Sequence, residues 1–176
     1  MKNVLFHQCC APCFSGVLKL VQSQCEFSGY WFNPNIYPLT EYQSRKGAIE
    51  QLSKTQNFSV VYEEEQSYES WKNFVLGYEN RCLGCYKFRL NKTAKKAQKL
   101  GFDSFNTTLL ISPYQKHELI IDAAKDAAVE YGIEFYYKDF RSAFYEGKNY
   151  ARSLGLYIQK YCGCEFSYAE RFGSLK

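Results

Sequence analysis

Seven of the eight cysteines in this chain fall into three tight groups. The first group lies in the segment HQCCAPC, the second in RCLGC and the third in YCGC, and their members are Cys9, Cys10, Cys13, Cys82, Cys85, Cys162 and Cys164. Short links between cysteines let two sulfur atoms reach one metal ion or one redox centre. The spacing therefore predicts that these thiolates converge on one chemical site, and it leaves the isolated Cys25 as a bystander.

The spacing alone leaves three kinds of site open. A structural zinc site, as in a zinc-dependent nucleic-acid-binding module, would use the second group as one half. Its other half would be the third group, whose cysteines are one residue apart, and the first group would have no role. A dithiol oxidoreductase would use Cys10 and Cys13 and leave five clustered thiols idle. An iron–sulfur cluster with a further thiolate-bound metal accounts for most of the seven.

The start of the chain and its hydropathy predict a cytoplasmic protein. Residues 1–6 hold one lysine and a three-residue apolar run, which is too short for the core of a signal peptide. No run approaches the ~18–20 apolar residues that span a bilayer, so no membrane association is expected. Structural disulfides are rare in a reducing cytosol. The length of 176 residues suits a single domain over residues 1–176.

Short apolar runs alternate along the chain with segments of helical periodicity. Strands are predicted at 4–6, 27–32, 58–62, 105–110 and 134–137, and helices at 15–23, 40–56, 86–100 and 116–131. This alternation predicts an α/β fold, with a parallel sheet covered by helices. Ligands bind beyond the carboxyl ends of such strands. The first cysteine group, between the first strand and the first helix, is therefore in a catalytic position, where the helix dipole would stabilise thiolates.

Basic residues are concentrated in one segment although the net charge is only +4. Residues 80–102 contain seven basic residues and no acidic one. In a helix over 86–100, one face would carry Lys92, Lys95, Lys96 and Lys99, and another would carry Leu90, Ala94 and Ala97. The basic face is either a solvated helix surface or a contact surface for a phosphate backbone.

Several longer segments carry a resemblance to a known family. The segments HQCCAPC, NPNIYPLTEY, RCLGCYKFRL, NTTLLISPY, DFR and YIQKYCGCEFS run from Val4 to Ser167. They resemble, in the same order, the successive motifs of the QueH family of epoxyqueuosine reductases. An ordered set over nearly the whole chain is far more specific than one CxxC. The resemblance implies a two-electron deoxygenation of the epoxide on the modified wobble base of tRNA, which gives queuosine. It also implies an adenine-nucleotide alpha-hydrolase-like, or Rossmann-like, fold with cysteine-rich active-site loops.

The same resemblance implies cofactors and partners. It implies a [4Fe-4S] cluster, an additional iron ion held by cysteines and an aspartate, and tRNA whose anticodon stem-loop carries epoxyqueuosine. Removing an epoxide oxygen requires stabilisation of a developing alkoxide, and a thiolate-bound iron can act as the Lewis acid. No GxGxxG segment follows a predicted strand, so neither a nicotinamide nor a flavin site is indicated. The electrons are therefore expected from an external one-electron donor protein.

Metal ligands and catalytic residues are predicted from these motifs. All seven clustered cysteines are predicted metal ligands, and Cys9 and Cys10 are also predicted to be catalytic. Asp139 follows the last predicted strand and is the predicted carboxylate ligand, with Asp103 as the alternative. His7, two residues before Cys9, is a further catalytic candidate that could donate to a cluster sulfide or to the substrate. A hydrogen-bonded core position is the alternative for His7.

Substrate contacts are predicted beside the same motifs. Residues next to the second and third cysteine groups could stack on the modified base or bond to it, and these are Tyr86, Arg89, Gln159 and Tyr161. Asn33 and Asn35 border a loop at another strand end and are predicted to form the pocket. The phosphates of the anticodon stem are predicted to lie on Lys92, Lys95 and Lys96.

Overall fold

A five-stranded parallel sheet forms the centre of the protein. The computed structural model describes residues 1–173. The strands are β1 (Asn3–His7), β2 (Glu26–Trp31), β3 (Val60–Tyr62), β4 (Ser104–Thr107) and β5 (Glu134–Phe135), and their order in the sheet is β3-β2-β1-β4-β5. β1 is central, and its Val4 pairs with Phe27 on one side and Ser104 on the other. The prediction of an α/β fold with a parallel sheet is confirmed.

Helices connect and cover the strands. They are α1 (Ala11–Val21), α2 (Leu39–Gln56), α3 (Tyr68–Leu76), α4 (Arg81–Lys99), α5 (His117–Tyr131), α6 (Phe144–Ser153) and α7 (Glu165–Phe172). Short 3₁₀ turns occupy Thr108–Ile111 and Arg141–Ala143. Across the described residues, no helix combines the length and apolar character needed to cross a bilayer.

α4 begins five residues earlier than the sequence pattern predicts. The side-chain oxygen of Asn80 accepts hydrogen bonds from the backbone N–H groups of Cys82 and Leu83, which is the interaction that starts many helices. The second cysteine group consequently lies within the first turns of α4 rather than in a loop before it. As predicted, Leu90 and Ala94 on this helix are fully buried.

α6 packs closely on α1 at the end that carries the cysteines. A Cβ atom on Gly147 would lie 2.5 Å from the backbone nitrogen of Gly16 and 2.8 Å from the carbonyl oxygen of Pro12. Only glycine fits at such a separation, because real Cβ atoms do not approach backbone this closely. This contact fixes α6, which the sequence pattern did not predict, beside the first cysteine group.

Candidate metal centre and cavity

The first cysteine group lies at the switch point of the sheet, where the chain changes from adding strands on one side of β1 to adding them on the other. β1 is followed in space by β2 on one side and by β4 on the other, so the crevice between the ends of β1 and β4 is the usual ligand position in such sheets. Cys9 follows β1 and Thr108 follows β4. The backbone N–H of Cys9 donates to Thr108 Oγ1 at 3.2 Å, and Cys9 Sγ lies 3.3 Å from the same oxygen.

Three sulfur atoms meet at this crevice. The Sγ atoms of Cys9, Cys10 and Cys13 all lie within 4.8 Å of one another, and within residues 1–173 this is the only group of three or more potential metal ligands from His, Cys, Asp and Glu so close together. Cys10 is the N-cap of α1 and Cys13 lies in its first turn, so the helix folds both thiols back towards Cys9. Gln159 Nε2 donates to Cys10 Sγ at 2.9 Å. Three converging thiols suit a metal ion or an iron–sulfur cluster.

The three thiols differ in acidity. Hydrogen bonds from the Cys10 and Cys13 thiols lower the pKa of Cys9, and the Thr108 hydroxyl acts in the same direction. Burial raises the pKa of Cys10, which is only 1% exposed. Cys9 is therefore the first of the three to become a thiolate. Cys9 and Cys13 both line the cavity.

The second and third cysteine groups occupy helix starts. Trp71 Nε1 donates to Cys85 Sγ at 3.3 Å, and Cys164 packs against the same small cluster. Cys164 caps α7 and accepts a hydrogen bond from the N–H of Ser167. Gln115 Nε2 donates to Cys162 Sγ at 3.3 Å. These thiols lie outside the 4.8 Å group of the first three cysteines, so convergence of all seven on one site stays a prediction.

Arg89 lies between the cysteine groups as a buried cation. It is 2% exposed, lines the cavity, and donates from Nε to the carbonyl oxygen of Cys85 at 3.3 Å. Burial alone would lower the pKa of Arg89, but Coulombic attraction to Cys85, Cys162 and Cys9 in their ionised forms raises it. A guanidinium that is charged in this position stabilises thiolates on both sides.

Arg45 fixes the third cysteine group, and sequence reasoning missed it. Its Nε donates to Glu41 Oε1 at 2.7 Å, and its two terminal nitrogens donate to the carbonyl oxygens of Tyr161 and Cys162, each at 2.9 Å. Both charged side chains of the Glu41–Arg45 pair are buried. The i,i+4 spacing of opposite charges within the predicted helix 40–56 was the signal that could have found the pair.

A cavity of about 670 Å³ opens beside the first cysteine group. Among the predicted substrate contacts, it is lined by Asn33, Asn35, Arg89, Gln159 and Tyr161. Buried side-chain oxygens of Asn33, Asn35 and Gln159 have no hydrogen-bond partner among the described residues. Buried polar atoms are rarely left unpaired, so these three oxygens have free capacity to accept hydrogen bonds from N–H or O–H groups.

Tyr86 and His7 have structural partners instead of cavity positions. The Tyr86 hydroxyl donates to Gln115 Oε1 at 2.7 Å, and its ring is 2% exposed. His7 is fully buried, with Nε2 3.0 Å from the carbonyl oxygen of Phe32 and Nδ1 2.9 Å from the Thr107 hydroxyl. Burial lowers the pKa of His7 to about 4. These contacts match the hydrogen-bonded core alternative, and a catalytic role for His7 stays a prediction.

Neither candidate aspartate belongs to the 4.8 Å group of the three thiols. Asp139 is bound by Arg141, whose Nε lies 2.9 Å from Oδ1, and this bond lowers the pKa of Asp139 to about 2. Asp103 precedes β4 and accepts from the N–H of Asn3 at 2.8 Å, so it lies at the amino-terminal edge of the sheet, opposite the cysteines. The structure thus gives Asp103 no route to the metal site, and ligation by Asp139 stays a prediction.

The predicted phosphate-binding lysines of α4 face acidic neighbours. Lys96 Nζ lies 2.8 Å from Glu63 Oε2, and Lys92 Nζ lies 4.0 Å from the same atom. Lys92 and Lys95 line a second cavity together with Glu64 and Glu65. The charge of this face is therefore partly compensated, which the sequence of α4 alone could not reveal.

Comparison with known proteins gives a consistent family. The family model described as Epoxyqueuosine reductase QueH matches residues 4–170. A protein named Epoxyqueuosine reductase QueH from Dehalococcoides mccartyi is 39% identical over 175 residues, covering 97% of this chain and 95% of that protein. A relative of the same name from Thermotoga maritima is 38% identical over 181 residues, covering 97% and 93%. The family model and both relatives thus extend over nearly the whole chain.

A solved structure resembles the chain more distantly. It is the U34-tRNA thiolase NcsA from Methanococcus maripaludis with its [4Fe-4S] cluster, at 12% identity and a TM-score of 0.46. The match covers 99% of this chain and 82% of that one. Similarity at this level supports no conclusion about the present chain.

Proposed function

Because this chain belongs to the QueH family of epoxyqueuosine reductases, we propose that it removes the epoxide oxygen of epoxyqueuosine at the wobble position of tRNA. The reaction takes up two electrons and two protons, breaks both C–O bonds of the epoxide, and yields the cyclopentene of queuosine and water. The observation that carries the proposal is the group of three thiols at the sheet crevice, beside a cavity of about 670 Å³. That volume is in the ordinary range for small-molecule sites.

The first cysteine group fits a thiolate-held metal centre. Its donors are soft sulfur atoms, mostly buried and within 4.8 Å of one another, which suits iron–sulfur ligation. We propose that this group holds a [4Fe-4S] cluster and an adjacent iron ion, together with the other four clustered cysteines and Asp139. When bound, such a centre supplies single electrons and a Lewis acid for the epoxide oxygen.

The chain's own side chains bind the substrate and stabilise charge. The unpaired oxygens of Asn33, Asn35 and Gln159 would accept hydrogen bonds from hydroxyl and N–H groups of the modified nucleoside. The buried guanidiniums of Arg45 and Arg89 both line the cavity. Fixed positive charge in a site sheltered from water stabilises negative charge that develops on a reacting oxygen.

The remaining parts of the proposal concern partners. The anticodon stem-loop of tRNA carries the substrate, and a one-electron donor protein supplies the electrons, because no dinucleotide-binding GxGxxG is present in the sequence. The chain is proposed to act in the cytoplasm as one domain spanning residues 1–176.

An anaerobic assay tests the proposed function. The reconstituted protein is incubated with a chemical one-electron reductant and tRNA that carries epoxyqueuosine, and the nucleosides are analysed by mass spectrometry. We expect the loss of one oxygen atom from the modified nucleoside and a brown protein with absorption at ~400 nm. Cys9→Ala should abolish turnover. Cys25 is a buried thiol outside the three groups, so Cys25→Ala should retain turnover. A colourless zinc protein, or a metal-free one that reduces disulfides but not the epoxide, would contradict the proposal.

A further inference from the structure

Among residues 1–173, the cavity beside the cysteines is lined by basic residues and by no acidic one. Two of its bases, Arg45 and Arg89, are buried, and four further bases are more exposed: Lys148, Arg152, Lys160 and Arg171. These six positive charges exceed the net charge of +4 of the whole chain, so the remainder of the chain is slightly acidic. Positive charge concentrated around one cavity attracts a polyanion to that place.

The four more exposed bases, of which Lys148 is half-buried, are called the basic rim, and they have no carboxylate partner among the described residues. Within the part of the chain that the structure describes, none of them forms an ion pair. Arg152 donates to the neutral side chain of Asn149, at 3.2 Å. Lys92 and Lys96 on α4, in contrast, both face Glu63. The rim charges are therefore available to an external anion.

The basic rim is assembled from three separate segments. Lys148 and Arg152 lie one turn apart on α6, Lys160 lies in the loop before the third cysteine group, and Arg171 lies in the last turn of α7. The contact of α6 with α1 at Gly147 holds the first two near Cys9 and Cys13. A phosphate chain on this rim would thus be fixed relative to the thiols.

An exposed aromatic ring lies at the same cavity. Tyr114 is 79% exposed and belongs to the lining. Its ring meets Phe144 edge to face, with centroids 5.8 Å apart, which supports the ring from one side. Exposed aromatic rings beside basic residues are the usual platform for unpaired bases of single-stranded RNA.

We propose that the basic rim and Tyr114 form the docking surface for an RNA hairpin loop. Lys148, Arg152, Lys160 and Arg171 contact the phosphates, and an unpaired base stacks on Tyr114. The inference rests on the proposed function, which makes an anticodon stem-loop the substrate. It places the phosphates on a different surface from the lysines of α4 that the sequence pattern favoured.

Salt dependence of RNA binding tests the charged part of this surface. An anticodon stem-loop hairpin RNA is titrated by fluorescence anisotropy over a range of salt concentrations. For Lys148→Gln combined with Lys160→Gln, the slope of log Kd against log salt falls by about 1.4 to 1.8, because each phosphate contact contributes about 0.7 to 0.9. Lys54→Gln with Lys125→Gln, at two exposed positions outside the cavity, removes the same charge and leaves the slope unchanged.

A second double variant distinguishes the two surfaces. Lys95→Gln with Lys96→Gln on α4 also removes two charges, and we expect it to leave the slope unchanged. The proposal would be overturned if the slope fell with this variant and not with Lys148→Gln and Lys160→Gln. It would also be overturned if all three double variants had the same slope. Thermal unfolding of each variant verifies that the fold is retained.

Substitution of Tyr114 tests the stacking part. Tyr114→Ala weakens hairpin binding by about 5- to 150-fold, the range for loss of one stacked base, at an unchanged salt slope, and Tyr114→Phe retains affinity. Wild-type affinity in Tyr114→Ala would remove the ring from the docking surface. Epoxide reduction by the wild-type protein is measured separately, so a wrong docking surface and a wrong function give different results.

Discussion

Removal of Arg45 is expected to destabilise the protein and release the third cysteine group. The guanidinium is 2% exposed and pairs at 2.7 Å with Glu41, whose side chain is 9% exposed. It also donates to the carbonyl oxygens of Tyr161 and Cys162. A Cβ atom on Gly163, where φ is +134°, would lie 3.0 Å from Arg45 Nη1, so the glycine permits this close approach. Arg45→Met keeps the apolar stem and deletes the charge and all three hydrogen bonds.

The magnitude follows from the burial of the pair. Deleting one member of a buried ion pair leaves the other charge uncompensated and costs about 3–5 kcal/mol. For a chain of this size, such a loss lowers Tm by roughly 6–20 °C. Denaturant unfolding of the reduced, metal-free protein measures the change in the free energy of unfolding, and iron content after reconstitution measures whether the third group still binds metal. We expect both to fall.

The neighbouring residue provides a matched control. Lys46 pairs with Glu50 at the same i,i+4 spacing on the same helix, but at 3.8 Å and with side chains 39% and 46% exposed. Exposed pairs contribute about 0–1 kcal/mol, so Lys46→Met changes stability little and leaves iron content unchanged. The reasoning is refuted if Arg45→Met destabilises no more than Lys46→Met, or if it binds iron as the wild type does.

Three further predictions concern packing, cysteine assignment and pH. Gly147→Ala overpacks the contact with Gly16 and lowers the free energy of unfolding by about 1–3 kcal/mol. Gly47 lies in a helix, and a new Cβ atom there has no neighbour within 4 Å, so Gly47→Ala raises the free energy of unfolding by about 0.5–1 kcal/mol. Denaturant titration measures both changes. Cys25→Ala retains the iron content of the wild type by metal analysis, because this thiol lies outside the three groups. Burial alone would raise the pKa of Glu63, but hydrogen bonds from Lys96 and Tyr30 lower it, so Glu63 stabilises the fold above the ordinary pKa of glutamate. Glu63→Gln should therefore destabilise the protein at neutral pH, and its difference from the wild type should shrink as acid titration protonates the carboxylate.

The sheet was predictable from sequence because its signals are local. The apolar run of β1 and the helical periodicity of α5 each lie within one short window. α3, α6 and α7 were missed because each is short, with nine, ten and eight residues, and a short segment gives helical periodicity little room to appear. α6 contains Gly147, which disfavours a helix and is required only by its contact with Gly16. No residue of α7 is buried, so the helix adds little to the core.

The position of the first cysteine group was also predictable, whereas the distribution of charge around it was not. A row of lysines on α4 is visible in the sequence, but the charge that compensates it comes from Glu63, about thirty residues away. The basic rim shows the opposite case: Lys148, Arg152, Lys160 and Arg171 form no run of charges, and only the packing of α6 and α7 gathers them. Charge patterns within one helix therefore overestimate the free positive charge of a surface whose lysines pair with acidic residues from other segments. They also miss basic surfaces whose residues come from separate segments.

Asp139 illustrates how a backbone rule can place a residue without placing its side chain. The rule that loops after parallel strands meet at one edge selects the segment beyond β5. It does not account for Arg141, which lies two residues further on and binds both carboxylate oxygens. For Asp139 to ligate iron, at least one of these oxygens must exchange the guanidinium for the metal. Because the bond to Arg141 favours the ionised carboxylate, the ligand would already be deprotonated at neutral pH, and the competition would be between two cations for one anion.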